Sequence, residues 1–171
     1  MPVSSAIPRS AQILVGGDRP TLAQVRQLRR IAEQDFEENR KLAGIHKDGL
    51  NGPKEDLKVR SAILAYALGF FSDAEDHIGD NKEPFAQALM GLVYSELGDY
   101  AEAKTAMAAA AKGLPEAKIE LCRVLLDGDL TDEAEKALAL VPEGIEKHFL
   151  TGRFNELKNN VEASINAYEA A

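Results

Sequence analysis

The chain has no tryptophan, one cysteine, four tyrosines and six phenylalanines in 171 residues. A single thiol, Cys122, excludes an internal disulfide; on an apolar helical stretch it reads as a small core or groove residue rather than a reactive group. No run approaches the roughly 20 apolar residues that cross a bilayer, and Met1 to Gly17 lacks the sustained apolar core of a secretion signal. A cytoplasmic protein with no membrane partner is expected. Period-two alternation is also missing beyond a few residues, Gln12-Ile13-Leu14-Val15 being the only short strand candidate. Convergent chemistry is absent as well. His46, His77 and His148 each stand without a second ligand at i+3 or i+4 that would suit zinc. Asp73, Glu75 and Asp76 beside His77 form a local cluster of the kind a helix start attracts for dipole reasons. There is no phosphate loop and no nucleophile elbow, and Asp127-Gly128-Asp129 lacks the remaining ligands of a calcium loop. The expectation is a protein that is not an enzyme, with no catalytic residue, metal or cofactor.

Charge is present but uneven. Residues 1–60 hold 11 Lys or Arg against 8 Asp or Glu, and residues 61–171 hold 9 against 20. An acidic body repels phosphate backbones, so nucleic acid is not an expected partner. A basic partner segment is favoured modestly, although an acidic surface that simply keeps the chain dissolved accounts for the same excess.

What is there is repetition. Leu97-Gly98-Asp99-Tyr100-Ala101-Glu102-Ala103 is echoed by Leu68 to Ala74, by Gly128 to Ala134 and by Asn159 to Ser164. The closing small residues Ala74, Ala103, Ala134 and Ser164 lie 29, 31 and 30 residues apart. That period marks stacked supersecondary units. In the clearest copy, Phe85 to Leu97 reads as a helix buried on more than one side, Gly98 stops it, Ala101 to Lys112 forms a second helix, and Gly113-Leu114-Pro115 ends that one. Gly91 is expected to face Ala103, with Tyr94 and Met107 filling the wider space beside them.

These residues resemble the tetratricopeptide repeat family. Its pattern is met in kind by Gly91, Tyr94, Gly98, Tyr100, Ala103, Met107, Ala110 and Pro115. The copy before offers Ala62, Ala65, Gly69, Phe71, Ala74 and Ile78. In the copy after, Leu121 replaces the small residue and an extra residue enters the turn near Leu130. The last copy offers Gly152, Asn155, Val161, Ser164, Tyr168 and Ala171. The resemblance covers about residues 54–171, with a period shorter than the family's usual 34. It implies an all-α, right-handed solenoid of about four helical hairpins whose first helices line a concave groove. Carried over by position, that groove would use Val59, Ile63 and Tyr66; Ala88, Leu92 and Ser95; Lys118, Cys122 and Leu125; and Phe149, Arg153 and Glu156. Ile63 and Leu92 stand where a carboxylate clamp would need asparagine, which disfavours capture of a partner's C-terminus. An amphipathic helix or extended apolar peptide is the expected ligand, and the same side chains could equally be buried between repeats.

The N-terminal third reads as an irregular segment over 1–20, then a capping helix and loop over 21–53 ahead of the repeats at 54–171. Thr21 and Gln24 make a capping box. Leu22, Val25, Leu28, Ile31, Ala32 and Phe36 give one apolar stripe, the helix running on to Leu42-Ala43. Arg29 and Glu33 form an i, i+4 pair. His46 to Pro53 reads as a loop. The stripe could dock a partner or a second copy; covering the first hairpin is the preferred reading, since array ends need capping. At the other end the last helix, with Ala167 and Tyr168, leaves an apolar edge. Further repeats or another subunit would cover it. The expected function is that of a scaffold or adaptor binding another protein, with a self-assembling structural subunit as the alternative.

Overall fold

The structure, a computed structural model, describes residue 14 and residues 19–48, 50 and 54–171. Among them are ten helices and no strand, so the chain is all-α. They are α1 (Leu22–Gln34), α2 (Phe36–Asp48), α3 (Lys54–Leu68), α4 (Phe71–Ile78), α5 (Pro84–Leu97), α6 (Tyr100–Ala110), α7 (Ala117–Asp127), α8 (Thr131–Leu138), α9 (Ile145–Leu157) and α10 (Val161–Glu169). The chain divides into two compact units, residues 1–81 with α1–α4 and residues 82–171 with α5–α10.

In the first unit, α1 opens with the expected capping box, Thr21 accepting from the Gln24 backbone and Gln24 from that of Thr21. Leu22, Val25, Leu28 and Ala32 are buried, and α1 lies against α3. Arg29 bonds Glu33 at 2.7 Å and lies 5.2 Å over the Phe71 ring, joining α1 to α4. The single long helix expected from the stripe is two helices. Asp35 ends α1 in an extended conformation (φ −119°, ψ 105°), and its carboxylate accepts the backbone N–H groups of Glu37 and Glu38 to begin α2. Asn39 then donates to the Ala32 carbonyl across the break. Phe36, expected in the buried stripe, is consequently 77% exposed. His46-Lys47-Asp48, expected in a loop, close α2 instead; Gly49 and residues 51–53 lie outside the described residues. Of the irregular segment expected over 1–20, residues 1–13 and 15–18 also lie outside them. Leu14, from the short strand candidate, is helical and buried, and its carbonyl accepts from Arg60.

The four hairpins α3–α4, α5–α6, α7–α8 and α9–α10 share one turn. Its left-handed residue is Gly69 (φ 80°), Gly98 (φ 80°), Asp129 (φ 56°) or Asn159 (φ 56°). In each case that residue's N–H reaches the carbonyl three before it and the next N–H reaches back five: Gly98 to Ser95 and Asp99 to Tyr94, Asp129 to Leu126 and Leu130 to Leu125, and likewise around Gly69 and Asn159. This double bond satisfies the last free carbonyls of the first helix. Five residues on, Ala74, Ala103, Ala134 and Ser164 are all buried.

The third turn therefore has no extra residue. Gly128 is right-handed (φ −89°), Asp129 takes the left-handed position, and aspartate tolerates it through its short polar side chain. With the turns in register the small residues twelve positions before the buried ones are Ala62, Gly91, Cys122 and Gly152. Cys122, not Leu121, holds the small position in α7. The groove triad for that helix shifts with it, from Lys118, Cys122 and Leu125 to Ile119, Arg123 and Leu126.

The second unit packs around these crossings. A Cβ on Gly91 would lie 2.7 Å from Met107 Cγ, so Met107, rather than Ala103, occupies the space against Gly91. Sixteen residues separate that pair, as they do Gly152 and Tyr168, where a Cβ would lie 2.4 Å from the tyrosine ring. Cys122, Leu125, Leu126, Ala134, Ala137, Val141 and Leu150 join α7, α8 and α9 in a continuous core.

Candidate functional site

The residues expected to line a groove are mostly interior. Val59, Ile63 and Tyr66 are buried in the first unit, and Ala88, Leu92, Cys122 and Leu125 in the second. Seven of the twelve thus face other side chains rather than a ligand. The physical reason is that they are the apolar positions of their helices, and apolar area stabilises most when removed from water. Ser95, Lys118 and Arg153 are half-buried, while Phe149 and Glu156 are exposed.

Polar residues on this face are engaged with each other. Arg123 bonds Glu146 and approaches Glu120 at 3.7 Å, and its guanidinium sits 5.7 Å over the Phe149 ring. Arg153 bonds Asp127 at 2.7 Å, tying α9 to α7. Cys122 is closed off, and burial pushes its thiol up to about 11 from 9.0. A thiol so placed is a poor nucleophile. Glu156 accepts from the Tyr168 hydroxyl at 2.9 Å. Burial, then that bond, raises the Tyr168 pKa.

An open apolar surface of the second unit lies elsewhere, between the second helices of two hairpins. There α6 and α8 form the walls, and α7 the floor, of two adjoining hollows of about 660 and 260 Å³. Ala108 and Ala109 on α6, Leu121 on α7, and Ala137 and Leu140 on α8 supply an apolar lining. Alanine holds α6 helical at no side-chain entropic cost, yet leaves its outward face low. Leu140, just past the end of α8, is 65% exposed at the edge.

Around that lining stand four lysines: Lys104 from α6, Lys112 from the turn that follows it, Lys118 from α7 and Lys136 from α8. The whole unit holds 9 Lys or Arg against 16 Asp or Glu. Nearly half of its cations therefore border these two adjoining hollows, against a single carboxylate among the described residues, Glu133, which Lys104 binds at 3.1 Å. Among the described residues, Lys112, Lys118 and Lys136 have no carboxylate within 4 Å, unlike Lys147 and Lys158 of the same unit. Of the sequence-derived site residues, Lys118 and Leu125 fall here. The others that form it, chiefly Ala108, Lys112, Lys136, Ala137 and Leu140, lie on second helices and their ends, where no groove was expected.

In the first unit, His46 lies 3.3 Å from Asp73 and 5.4 Å from the Phe70 ring centroid. Sequence spacing had placed Asp73 with His77 instead. No cluster of three metal-ligating side chains occurs among the described residues, and no helix there is long and apolar enough to cross a membrane. No protein-family model, curated protein or solved structure matches the chain.

Proposed function

We propose that this chain is a non-catalytic binding module built from tetratricopeptide-like hairpins, acting as a scaffold or adaptor for another polypeptide. The four identical turns and their 29-, 31- and 30-residue spacing support the repeat reading. The observation that carries the binding reading is the open apolar lining between α6 and α8. Exposed apolar surface is costly unless something covers it, and a cleft between two helices is a form that receives a peptide or helix. The first-helix groove is demoted, because seven of its twelve residues are interior.

A photo-crosslinking amino acid placed at Leu140 in cells tests this, with exposed Asn166 as the control position. Attachment to another polypeptide from position 140 and not from 166 is expected; equal or absent attachment would sink the reading.

Self-assembly remains the second reading, on a changed basis. Ala167 is buried and Tyr168 packs on Gly152 and Phe149, so neither presents an edge to a neighbour. Val161 and Ile165, 68% and 51% exposed on one face of α10, are apolar side chains open to a second copy. Light scattering across a concentration series, with Ile165→Glu as the disrupting variant, tests that reading.

A further inference from the structure

We infer that the hollow between α6 and α8 receives an acidic amphipathic helix of a partner protein. Its apolar side chains would rest on the alanine and leucine lining, and its carboxylates would meet Lys112, Lys118 and Lys136. The inference rests on the binding reading above and adds the chemistry of the partner.

Three observations converge on that occupant. The lining is apolar and shallow, so the ligand must bring side chains that project into it: Leu121 lies at the floor and Ala137 on the α8 wall, with Leu140 at the edge. The rim is basic inside an acidic unit, with four lysines and one carboxylate, and that carboxylate is already bound by Lys104. The α6 wall runs from Lys104 to Ala109, about 8 Å at the helical rise, and the turn that carries Lys112 extends it, which suits a docked helix of roughly two turns. Two turns present an i, i+3, i+4, i+7 stripe to the lining and leave flanking positions over the lysines.

Charge separates this occupant from other anions. At physiological salt a charge is felt over about 8 Å. A short helix seated in the hollow senses the local rim, where lysines dominate. Nucleic acid or an anionic bilayer extends far beyond it and meets the unit's surplus of seven carboxylates. Those surfaces are repelled where the short helix is attracted. A basic peptide would meet three uncompensated lysines at the hollow, a like-charge contact that costs specificity and affinity.

The test starts without a known partner. A random library of peptides of about 16 residues, some four helical turns, is displayed on phage and selected against the full chain. Recovered sequences are synthesised and titrated into isotope-labelled protein at two salt concentrations. The expected binders are rich in Asp and Glu, carry Leu, Ile or Phe at helical spacing, and become helical on binding. Their amide shifts concentrate at Ala108, Leu121, Ala137 and Leu140. Lys112→Glu, Lys118→Glu and Lys136→Glu together weaken them at least ~10-fold, as does raised salt in part. Should the triple variant misfold, Ala108→Glu at an exposed position puts a charge on the lining and gives the same loss. Binders that are basic or uncharged, or that map outside α6–α8, overturn the inference and leave the binding reading standing. No binder at all sinks both. A molar mass that climbs with protein concentration, with shifts at the same residues, puts a second copy in the hollow and overturns the separate partner.

Discussion

Small residues do opposite work in two regions of the second unit. Within the α5–α6 and α9–α10 hairpins, Gly91 and Gly152 let backbone and side chain close until no Cβ would fit. Between α6 and α8, Ala108, Ala109 and Ala137 leave a hollow instead. The difference lies in what stands opposite. A hairpin turn of two or three residues holds its helices adjacent, and a large residue sixteen positions on, Met107 or Tyr168, fills the space. The α6 and α8 helices are not neighbours in the chain: α7 comes between them and supplies the floor of the hollow and Lys118 at its rim. A small residue is therefore a packing device only where topology supplies its large partner; elsewhere it is open surface.

The sharpest break of that contrast is Gly91→Leu. Met107 is fully buried and its Cγ already lies where a Cβ would go, so added atoms must displace the core. We expect a loss of about 3 kcal/mol in urea unfolding, the upper range for overpacking. Adding Met107→Ala should return at least ~1 kcal/mol as coupling between the two sites. Additive losses would show that the pair does not share one space.

The repeat itself was legible because it is written locally. Ala74, Ala103, Ala134 and Ser164 are small where the helices cross, and all four are buried. The third register was misread by one residue for an instructive reason. Gly128 looks like the turn glycine, but Asp129 takes the left-handed conformation, a choice set by the hydrogen bonds of the turn. The break at Asp35 was hidden similarly, since neither glycine nor proline marks it and an aspartate among charged residues looks ordinary. Seven of the twelve expected groove residues are interior because apolar pattern reports burial, not accessibility. The hollow was illegible because it belongs to no single helix: Lys112, Lys118 and Lys136 are unremarkable on their own elements and meet only when three helices assemble.

Cys122 and Leu121 are adjacent in sequence yet face the two regions, which makes the thiol a depth gauge. Burial raises its pKa to about 11 from 9.0, so at pH 8 its thiolate fraction falls about 100-fold before access is considered. Alkylation of native protein at pH 8 should lag that of unfolded protein by at least this factor. The linkage sign follows: the raised folded pKa gives stability that is full below pH 9 and lost as pH climbs toward 11. The Cys122→Ala variant should show a smaller decline, since Tyr168, whose pKa is also raised, keeps its part of it. Fast native alkylation would mean that the hollow reaches through its floor to the hairpin crossing.

Ala108→Leu probes the open side with the kind of change that Gly91 cannot bear. Ala108 is exposed on the hollow, so α6 accepts the larger side chain without moving a neighbour. Stability should change by no more than ~0.5 kcal/mol, while the filled hollow loses its acidic peptide. A loss approaching that of Gly91→Leu would erase the distinction between closed crossing and open cleft.

The smallest effect is the most specific. Lys104 and Glu133 join α6 to α8 across the hollow at 3.1 Å, with side chains 35% and 49% exposed. An ion pair so solvated contributes little to folding, so Glu133→Gln should shift the urea midpoint only slightly. Its consequence for binding is different in kind. Removing the only carboxylate in the lining releases Lys104 to an incoming acidic residue and raises the local positive field. Affinity for an acidic helical peptide should then rise a few-fold, and the gain should vanish as salt shortens the range of the added charge. If Glu133→Gln left affinity unchanged at low salt while the lysine reversals abolished it, Lys104 would be outside the docking surface. The occupied cleft would then be confined to Lys112, Lys118 and Lys136, at the end of α6 where Leu121 and Leu140 line the hollow.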